Sequence, residues 1–402
     1  MPDAAAHPFF ARTEAVLSML RRTGQHKSLQ TIEGPMGPTV RLAGLGECLC
    51  FCSNNYLGLA NHPEVVEAGI KGLREFGAGT ASVRFICGTF SPHLALEARL
   101  ASFLGAEAAY TFVSCWNANE ALFPTLCEPG DLIISDELNH ASIIDGVRLA
   151  TVIKKGLNKA VFKHNDHADL RATLERARGD LAKDAVIWVV TDGVFSMEGD
   201  LPDLPGLRAI CDEFGALLVV DDSHGTGVLG ATGRGTHEHF AMPGSAIDFF
   251  TGTLGKALGG AAGGFIAGPA GAVDLIVQRG RPTLFSNALP VTVALSAAKA
   301  IEVLDREPQR VQTLRDNTAY ARQSLKTAGF DVVDSPTAIC PIIVGDTARA
   351  ISMSRRLLEL GVFVIGFGYP VVPEGQARLR VQISAAHTRE HIDALVDAMK
   401  KL

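Results

Sequence analysis

The chain has 402 residues, of which 47% are hydrophobic and 20% are charged, so it is large and apolar enough to bury a sizeable core. Its formal net charge of −6 argues against nucleic acid or an anionic membrane surface as the main partner, so any phosphate that it binds needs local donors. No uninterrupted apolar run reaches the roughly 18 residues of a membrane span.

The first residues, Met1–His7, lack a basic segment followed by an apolar core, so we predict no secretory signal peptide. Eight cysteines are scattered along the chain, as is typical of reduced thiols in a cytoplasmic protein. Cys48, Cys50 and Cys52 alternate and would line one face of a strand. Because no Cys-x-x-Cys pair or nearby histidine accompanies them, we favour buried thiols over a metal site and predict no metal.

Residues 1–57 are predicted to form an N-terminal arm and a hairpin. Apolar residues recur at helical spacing over Pro8–Gly24, and a hairpin is expected through Thr39–Cys52. The polar turn Ser53–Leu59 follows, and for Asn54 taken alone we favour an ordinary capping or turn role. Further on, Leu94–Leu104 is predicted to be an amphipathic helix that ends at Gly105.

From residue 108 onward, strands, turns and helices alternate, and the strands are continuous apolar runs. This pattern predicts an α/β fold whose sheet is mostly parallel and covered by helices on both faces. We assign residues 58–289 to this large domain. The predicted strands are Ala108–Val113, Leu132–Ser135, Val152–Lys154, Ala160–Lys163, Ala185–Thr191, Leu217–Asp221 and Asp248–Thr251.

The pattern changes near residue 290, where two long helices precede a mixture of strands and helices. We assign residues 290–402 to a smaller C-terminal α+β domain. Its predicted strands are Thr337–Val344, Gly361–Phe367 and Arg378–Ser384. Its predicted helices are Pro290–Leu304, Pro308–Gly329, Ala348–Leu360 and Thr388–Leu402.

Polar residues follow five strands of the large domain. Because parallel strands end at the same edge of a sheet, these groups are expected to lie close together. A polar residue after one strand is ordinary, but five converging sets favour a ligand site. The groups are Ser114–Asn117, Asp136 with Asn139 and His140, Thr191 and Asp192 with Ser196, Asp221–His224, and Thr253 with Lys256.

One glycine motif in this region is misleading. Gly225–Gly230 matches the dinucleotide-binding pattern and follows a strand. That function also requires a helix to begin at the motif, and Ala231–Gly235 is a poor helix start. We therefore do not predict dinucleotide binding.

Lys256 lies in the small-residue run Thr251–Gly260, with no acidic neighbour in sequence. A buried lysine has a lowered pKa and can form a Schiff base with a carbonyl group. A surface lysine in a glycine-rich turn explains the local pattern equally well. A phosphate-binding loop is excluded, because Phe250 occupies the position of its first glycine and Ala257 follows the lysine.

The positions of Asp221, His224 and Lys256 suit pyridoxal phosphate. This cofactor accepts electrons well when its ring nitrogen stays protonated, and a carboxylate beside the nitrogen keeps the proton there. Asp221 is the candidate, His224 would reach the phenolic oxygen, and His140 would lie over the ring. For each histidine taken alone, a structural role is the favoured interpretation.

Seven segments together resemble the α-oxoamine synthases, which are fold-type I pyridoxal-phosphate enzymes that join an amino acid to an acyl-CoA. The resemblance runs from about residue 45 to the C-terminus and is nearest to the members that use glycine and acetyl-CoA. The segments are Asn54–Leu59, Ser82–Thr89, Asn139–Gly146, Thr191–Met197, Val220–His224, Thr251–Gly260 and Ser384–Thr388.

The resemblance implies a role for each matching residue. Lys256 resembles the lysine that forms the Schiff base and later removes the α-proton of glycine. His140 resembles the histidine stacked on the ring, and Asp221 the partner of the ring nitrogen. The other implied cofactor contacts are His224 and Ser196 at the phenolic oxygen, the backbone of Cys115 and Trp116 with Thr253 at the phosphate, and Ser286 from the second subunit of a homodimer.

Arg380 resembles the arginine that binds the carboxylate of the amino acid, with Asn54 nearby. The planar fork of an arginine matches a carboxylate bidentately. Arg378 would point to the same face of the strand, so only the family match favours Arg380. The implied reaction removes the α-proton of glycine, adds the carbanion to the thioester of acetyl-CoA, and releases CoA and 2-amino-3-oxobutanoate.

Four segments depart from the family pattern: Cys115–Asn119, Gly280–Asn287, Gly88–His93 and Gly225–Thr226. None lacks a residue that the cofactor chemistry needs, but several would line the substrate pocket. The same chemistry with another amino acid or a longer acyl-CoA is therefore an alternative, as is a CoA-independent aldolase or aminotransferase. A non-enzymatic relative is a further alternative, although it is disfavoured because the chain keeps the lysine, aspartate and histidine of the site.

Overall fold

The computed structural model describes residues 7–179 and 181–402. Its N-terminal part consists of the helix α1 (Pro8–Arg22) and an antiparallel hairpin of β1 (Thr39–Leu42) and β2 (Gly46–Cys50). The predicted helix and hairpin are thus confirmed. The predicted arm also includes residues 1–6, which lie outside the described part of the chain.

The middle of the chain builds a seven-stranded sheet and the helices around it. The strands are β3 (Ala108–Phe112), β4 (Leu132–Asp136), β5 (Asn158–Phe162), β6 (Ile187–Asp192), β7 (Leu217–Asp221), β8 (Phe249–Thr253) and β9 (Gly264–Gly268). The helices are α2 (Pro63–Phe76), α3 (Arg84–Cys87), α4 (Ser91–Leu104), α5 (Cys115–Leu126), α6 (Ala141–Ile153), α7 (His167–Arg178), α8 (Leu204–Phe214), α9 (Thr236–His239), α10 (Ala270–Arg279) and α11 (Arg281–Phe285).

The strand order of this sheet is β3-β9-β8-β7-β6-β4-β5. Only β9 runs against the others, so the predicted mostly parallel sheet is confirmed. Successive residues of a strand face opposite cores: Ile134 and Val189 pack in one hydrophobic cluster, Ile133 and Val190 in the other. Apolar side chains on both faces explain why the strands are continuous apolar runs rather than alternating ones.

The C-terminal part contains α12 (Val291–Arg306), α13 (Gln309–Thr327), β10 (Ile339–Gly345), α14 (Thr347–Glu359), β11 (Val362–Phe363), β12 (Ile365–Phe367), β13 (Ala377–Gln382) and α15 (Arg389–Met399). An antiparallel sheet has the order β10-β13-β12, while β11 pairs with β2 of the N-terminal hairpin. The backbone N–H of Gln382 donates to Phe51 O at 2.8 Å, which ties β13 to the segment that follows β2.

The predicted strand Val152–Lys154 is wrong, because residues 152 and 153 form the end of α6. The β-branched run there favours a strand locally, but Ile143, Val147 and Ala150 continue one buried helical face. The predicted single strand Gly361–Phe367 is divided between two sheets, as β11 and β12. The sequence pattern also fails to predict β9, which glycines flank on both sides.

Two further predictions concern segments outside the sheet. Gly225–Gly230 forms turns, and the next helix begins only at Thr236, as expected if the segment is not a dinucleotide site. Within the described residues, no helix combines the length and the apolar character needed to cross a membrane.

Candidate active site

The polar groups after β3, β4, β6, β7 and β8 meet at one edge of the sheet, as expected. Asp221, the last residue of β7, accepts hydrogen bonds at Oδ2 from Asn119 Nδ2 at 2.8 Å and from Cys115 Sγ at 3.5 Å, both in α5 after β3. The backbone N–H of His140, after β4, donates to Asp192 Oδ2 at the end of β6 at 3.0 Å. These contacts link the segment after β3 to the end of β7, and the segment after β4 to the end of β6.

Asp221 is buried, at 3% exposure, and its carboxylate is stabilised by donors. Burial alone would raise its pKa, but hydrogen bonds from Ser223 and Asn119 and the nearby charge of Lys256 outweigh burial, so the pKa lies below its usual value. The group therefore stays ionised at neutral pH, as a partner for a protonated ring nitrogen must.

Lys256 lies in the turn after β8, close to Asp221. Burial lowers its pKa to about 8, although the charge of Asp221 and the thiol of Cys115 act in the opposite direction. An appreciable part of the amine is therefore neutral near pH 8. The low pKa is a property of a nucleophile or a base rather than of a surface lysine.

His140 caps the N-terminus of α6, where its Nδ1 lies 2.8 Å from Ser142 Oγ and accepts from Ser142 N at 3.2 Å. Neighbouring protein atoms exclude water from part of the ring and lower the pKa of His140, although the residue is exposed as a whole. The Trp116 ring lies edge-on to it, with centroids 6.1 Å apart. The imidazole is thus held in place by its neighbours while the residue stays exposed.

His224 is buried in the turn after β7, and burial holds its pKa well below the usual value, so the ring is neutral. Its Nδ1 lies 2.8 Å from Tyr56 Oη. That hydroxyl also contacts Asn54 Oδ1 at 3.3 Å, and Gln382 Nε2 donates to both residues. Asn54 and His224, which are 170 positions apart in sequence, therefore belong to one hydrogen-bond network.

The start of α5 is the candidate phosphate cradle. Ser114 caps the helix by accepting from Asn117 N at 3.2 Å, which leaves the N–H groups of Cys115 and Trp116 ahead of the helical ladder. A Cβ at Gly264 would lie 2.2 Å from Cys115 N, so glycine is required for this close approach. Thr253 Oγ1 donates to Gly263 O at 3.1 Å and accepts from Gly255 N at 3.1 Å, which orders the neighbouring turn.

Two buried arginines on β13 differ in their partners. Arg378 donates to the carbonyls of Met197 and Gln376 and to Glu198. Among the described residues, the Nε and Nη2 atoms of Arg380 have no hydrogen-bond partner, although the residue is only 7% exposed. Unsatisfied buried guanidinium nitrogens are costly, so Arg380 is suited to bind a carboxylate from outside the chain.

Within the described residues, the side chains of Ser196 and Ser286 make no hydrogen bond to the linked groups. Ser196 is half-buried in the turn after β6. Ser286 follows α11 and lines, with Asn117 and Glu120, a cleft of about 630 Å³ beside the start of α5. Their roles remain predictions.

Several residues of the site escape prediction from the sequence. They are Asn119, Ser142, Tyr56, Gln382 and, as the acceptor of the His140 N–H, Asp192. The spacing of Asn119 could have predicted its place in the site, because it lies four residues after Cys115 and so shares its helix face. The others are recognised only through contacts between distant segments.

Asn119 joins two halves of the site, since its Nδ2 donates to Asp221 Oδ2 and to Ser142 Oγ, at 2.8 and 2.9 Å. We expect Asn119→Ala to raise the pKa of Asp221 and to weaken pyridoxal-phosphate binding about tenfold, the effect of one charge-assisted hydrogen bond. Quenching of protein fluorescence on titration with the cofactor measures this. Asn158→Ala, at the far edge of the sheet, is the control, and equal affinities for both variants would contradict the role.

Comparison with known proteins agrees with this geometry. The family model of aminotransferase class I and II matches residues 46–399. The human mitochondrial 2-amino-3-ketobutyrate coenzyme A ligase is 46% identical over 386 residues, covering 96% of this chain and 90% of that protein. The 8-amino-7-oxononanoate synthase of Thermoanaerobacter pseudethanolicus is 41% identical, with 96% and 95% covered. A solved structure of SPT (serine palmitoyltransferase) with a PLP internal aldimine has a TM-score of 0.90 at 29% identity, with 99% and 98% covered.

Proposed function

Since this chain belongs to the aminotransferase class I and II family, we propose that it is a pyridoxal-phosphate-dependent acyltransferase that condenses glycine with acetyl-CoA to 2-amino-3-oxobutanoate and CoA. Identity of 46% to a 2-amino-3-ketobutyrate coenzyme A ligase over nearly the full length supports the substrate pair. The cofactor is pyridoxal 5′-phosphate, and the donor set described above fits it.

One observation carries the proposal: an amine of lowered pKa and a guanidinium with unpartnered nitrogens occupy the same buried site. Burial lowers the pKa of both side chains, and Arg380 lies close enough for its charge to lower the pKa of Lys256 further. A buried pair of cations is unfavourable on its own. A negatively charged ligand, such as an amino acid carboxylate with a phosphorylated cofactor, relieves that cost.

When bound, pyridoxal phosphate supplies a ring that accepts the electron pair left when the α-carbon of glycine loses its proton. Asp221 would hold a proton at the ring nitrogen, His140 would cover one face of the ring, and His224 with Ser196 would contact the phenolic oxygen. The backbone of Cys115 and Trp116, with Thr253, would bind the phosphate.

The remaining steps belong to two side chains. Lys256 in its neutral form would take the α-proton of glycine. Arg380, with Asn54 nearby, would hold the carboxylate in a fixed orientation, so that the carboxylate stays on the product rather than leaving as carbon dioxide. In this proposal, Arg380 with Asn54 positions the amino acid and Lys256 transfers the proton.

A second candidate is the same chemistry with another amino acid or a longer acyl-CoA. The specific observation in its favour is the 8-amino-7-oxononanoate synthase relative, whose identity of 41% is close to that of the ligase. The residues of the cofactor site do not separate these two possibilities, because both reactions need them.

Release of CoA thiol from the purified holoenzyme distinguishes the candidates. We expect glycine with acetyl-CoA to give a kcat/KM at least about tenfold above that of alanine or serine, or of longer acyl-CoAs, the discrimination expected for one methylene in a fitted pocket. Faster release with another pair would favour the second candidate. No thiol from any pair, with the cofactor bound, would indicate a CoA-independent enzyme.

We further propose that the protein is a homodimer in which Ser286 of one subunit reaches the phosphate site of the other. Phe285, beside Ser286, is 77% exposed at the rim of the 630 Å³ cleft, and a partner subunit would cover it. Sedimentation velocity of the same preparation gives the oligomeric mass, and a monomer would contradict this arrangement.

We also propose a cytoplasmic location. All eight cysteines lie in the described part of the chain as free thiols, five of them buried, as is usual in a reducing compartment. Imaging of a fluorescent fusion in the source cell tests this proposal, and accumulation in an oxidising compartment would contradict it.

A further inference from the structure

His164 lies between two carboxylates just beyond β5. Its Nδ1 is 3.1 Å from Asp136 Oδ1, and its Nε2 is 2.8 Å from Asp200 Oδ2. The Asp136 side chain is 1% exposed, and those of His164 and Asp200 are 18% and 35% exposed. The mechanism above uses none of these three side chains.

The ring is a cation that donates from both nitrogens. Burial alone would lower the pKa of His164, but the hydrogen bonds with Asp136 and Asp200 and their charges raise it to about 10. Carboxylates at neutral pH are acceptors only, so each ring nitrogen must carry a proton.

Each carboxylate belongs to a turn that carries a residue of the site. Asp136 ends β4 and orders the turn to His140, because its Oδ1 accepts from Leu138 N at 2.9 Å. Asp200 closes the turn that contains Ser196, through Phe195 N to Asp200 O at 3.1 Å and Gly199 N to Phe195 O at 2.7 Å.

A third contact reinforces the connection. The His164 ring lies edge-on to the buried Phe195 ring, with centroids 4.3 Å apart. Phe195 immediately precedes Ser196, so the imidazole packs directly against that turn. The two turns are on neighbouring strands, β4 and β6, and His164 contacts both.

We propose that His164 is a positioning residue whose imidazolium ties the His140 turn to the Ser196 turn and so sets the spacing of those two groups across the cofactor site. The inference rests on the proposed function for the identity of the cofactor. It extends the site to a histidine that does not itself touch the cofactor.

The test is the affinity of the cofactor-free full chain for pyridoxal phosphate, followed by quenching of Trp116, which lies beside His140. Glutamine has donors at one end of its amide only and cannot donate to both carboxylates. We therefore expect His164→Gln to weaken binding at least about tenfold, and Asp200→Ala, which removes only the more exposed connection, to weaken it less. Asp200→Asn keeps an oxygen acceptor and is expected to restore most of the affinity.

His167→Gln is the matched control, because His167 lies three residues away and its Nδ1 is 3.8 Å from Asp203, outside the site. Affinity is measured well below the melting temperature of each variant. If His164→Gln and Asp200→Ala melt at lower temperature but bind the cofactor like the wild type, the histidine is merely structural and the inference is overturned. If His164→Gln does not fold, equal affinities of Asp200→Ala and Asp200→Asn overturn it as well.

Cofactor binding needs neither glycine nor acetyl-CoA. A wild-type protein that binds pyridoxal phosphate but releases no CoA would therefore contradict the proposed function. The role of His164 would still be tested by the cofactor affinities of its variants. Conversely, unchanged affinities with normal CoA release would contradict only the inference.

Discussion

Lys256→Ala is expected to lower kcat for CoA release by at least about 10⁴-fold, because one amine serves both as the covalent attachment point and as the base. Its pKa, lowered to about 8, makes a part of the amine neutral near neutral pH. Thiol release over hours, at saturating glycine and acetyl-CoA, measures the residual rate. The variant keeps the carboxylate, histidines and arginine, so binding of cofactor by non-covalent contacts is expected to persist.

Lys400→Ala, which alters an exposed lysine near the C-terminus, is the control and is expected to leave kcat unchanged. A Lys256→Ala protein that retains more than about one hundredth of the wild-type rate would show that another group acts as the base. His140 and His224 would then be the residues to exchange next.

The same substitution has an effect on stability with a definite sign. The pKa of Lys256 lies below its ordinary value of 10.5, so between about pH 8 and 10.5 the unfolded chain binds more protons than the folded chain. Lys256 therefore destabilises the cofactor-free protein at neutral pH, by an amount on the order of 3 kcal/mol, and this penalty disappears as the pH rises through that window. Lys256→Ala is expected to lack the corresponding rise in the free energy of unfolding, which denaturation at several pH values measures.

Arg380→Met is expected to raise the KM for glycine at least about 100-fold. Two charge-assisted hydrogen bonds to a carboxylate, each worth about 1.5–3 kcal/mol, are lost together. Because Nε and Nη2 have no partner among the described residues, the cofactor-free variant is expected to be as stable as the wild type or more so. Steady-state kinetics with varied glycine and thermal denaturation measure the two effects.

Arg378→Met is the matched control from the same strand and the same face. Arg378 already donates to Met197, Gln376 and Glu198, so its loss is expected to destabilise the fold by about 2–3 kcal/mol with little change in the KM for glycine. The opposite pattern, with the larger KM effect at Arg378, would contradict the assignment of the substrate carboxylate to Arg380.

Much of the site could be predicted because it depends on strand ends, which local patterns locate. Asp221 and Lys256 each follow an apolar run, and the parallel sheet brings such positions to one edge. The choice between Arg378 and Arg380 is different, because two residues on one strand face look alike in sequence. Hydrogen bonds to the loop at Met197 distinguish them, and that loop lies about 180 residues away.

Other parts escaped prediction for physical reasons that can be named. β9 is short and glycine-rich, and it forms because β3 and β8 offer it partners on both sides. The β-branched residues Val152 and Ile153 favour a strand at the end of α6. Tertiary packing of the helix overrides this local preference. Tyr56 and Gln382 carry no local signal, since their function arises where the two ends of the chain meet. The boundaries drawn at residues 57 and 289 remain predictions.

The bond between Gln382 N and Phe51 O cannot form during synthesis until β13 has been translated. Every strand of the seven-stranded sheet precedes residue 269, so a chain still attached to the ribosome can assemble the cofactor half before β13 has been translated. Arg380 and the network around Asn54 must wait for a contact that closes a loop of more than 300 residues. A nascent chain therefore acquires its cofactor site first and its means of holding an amino acid last.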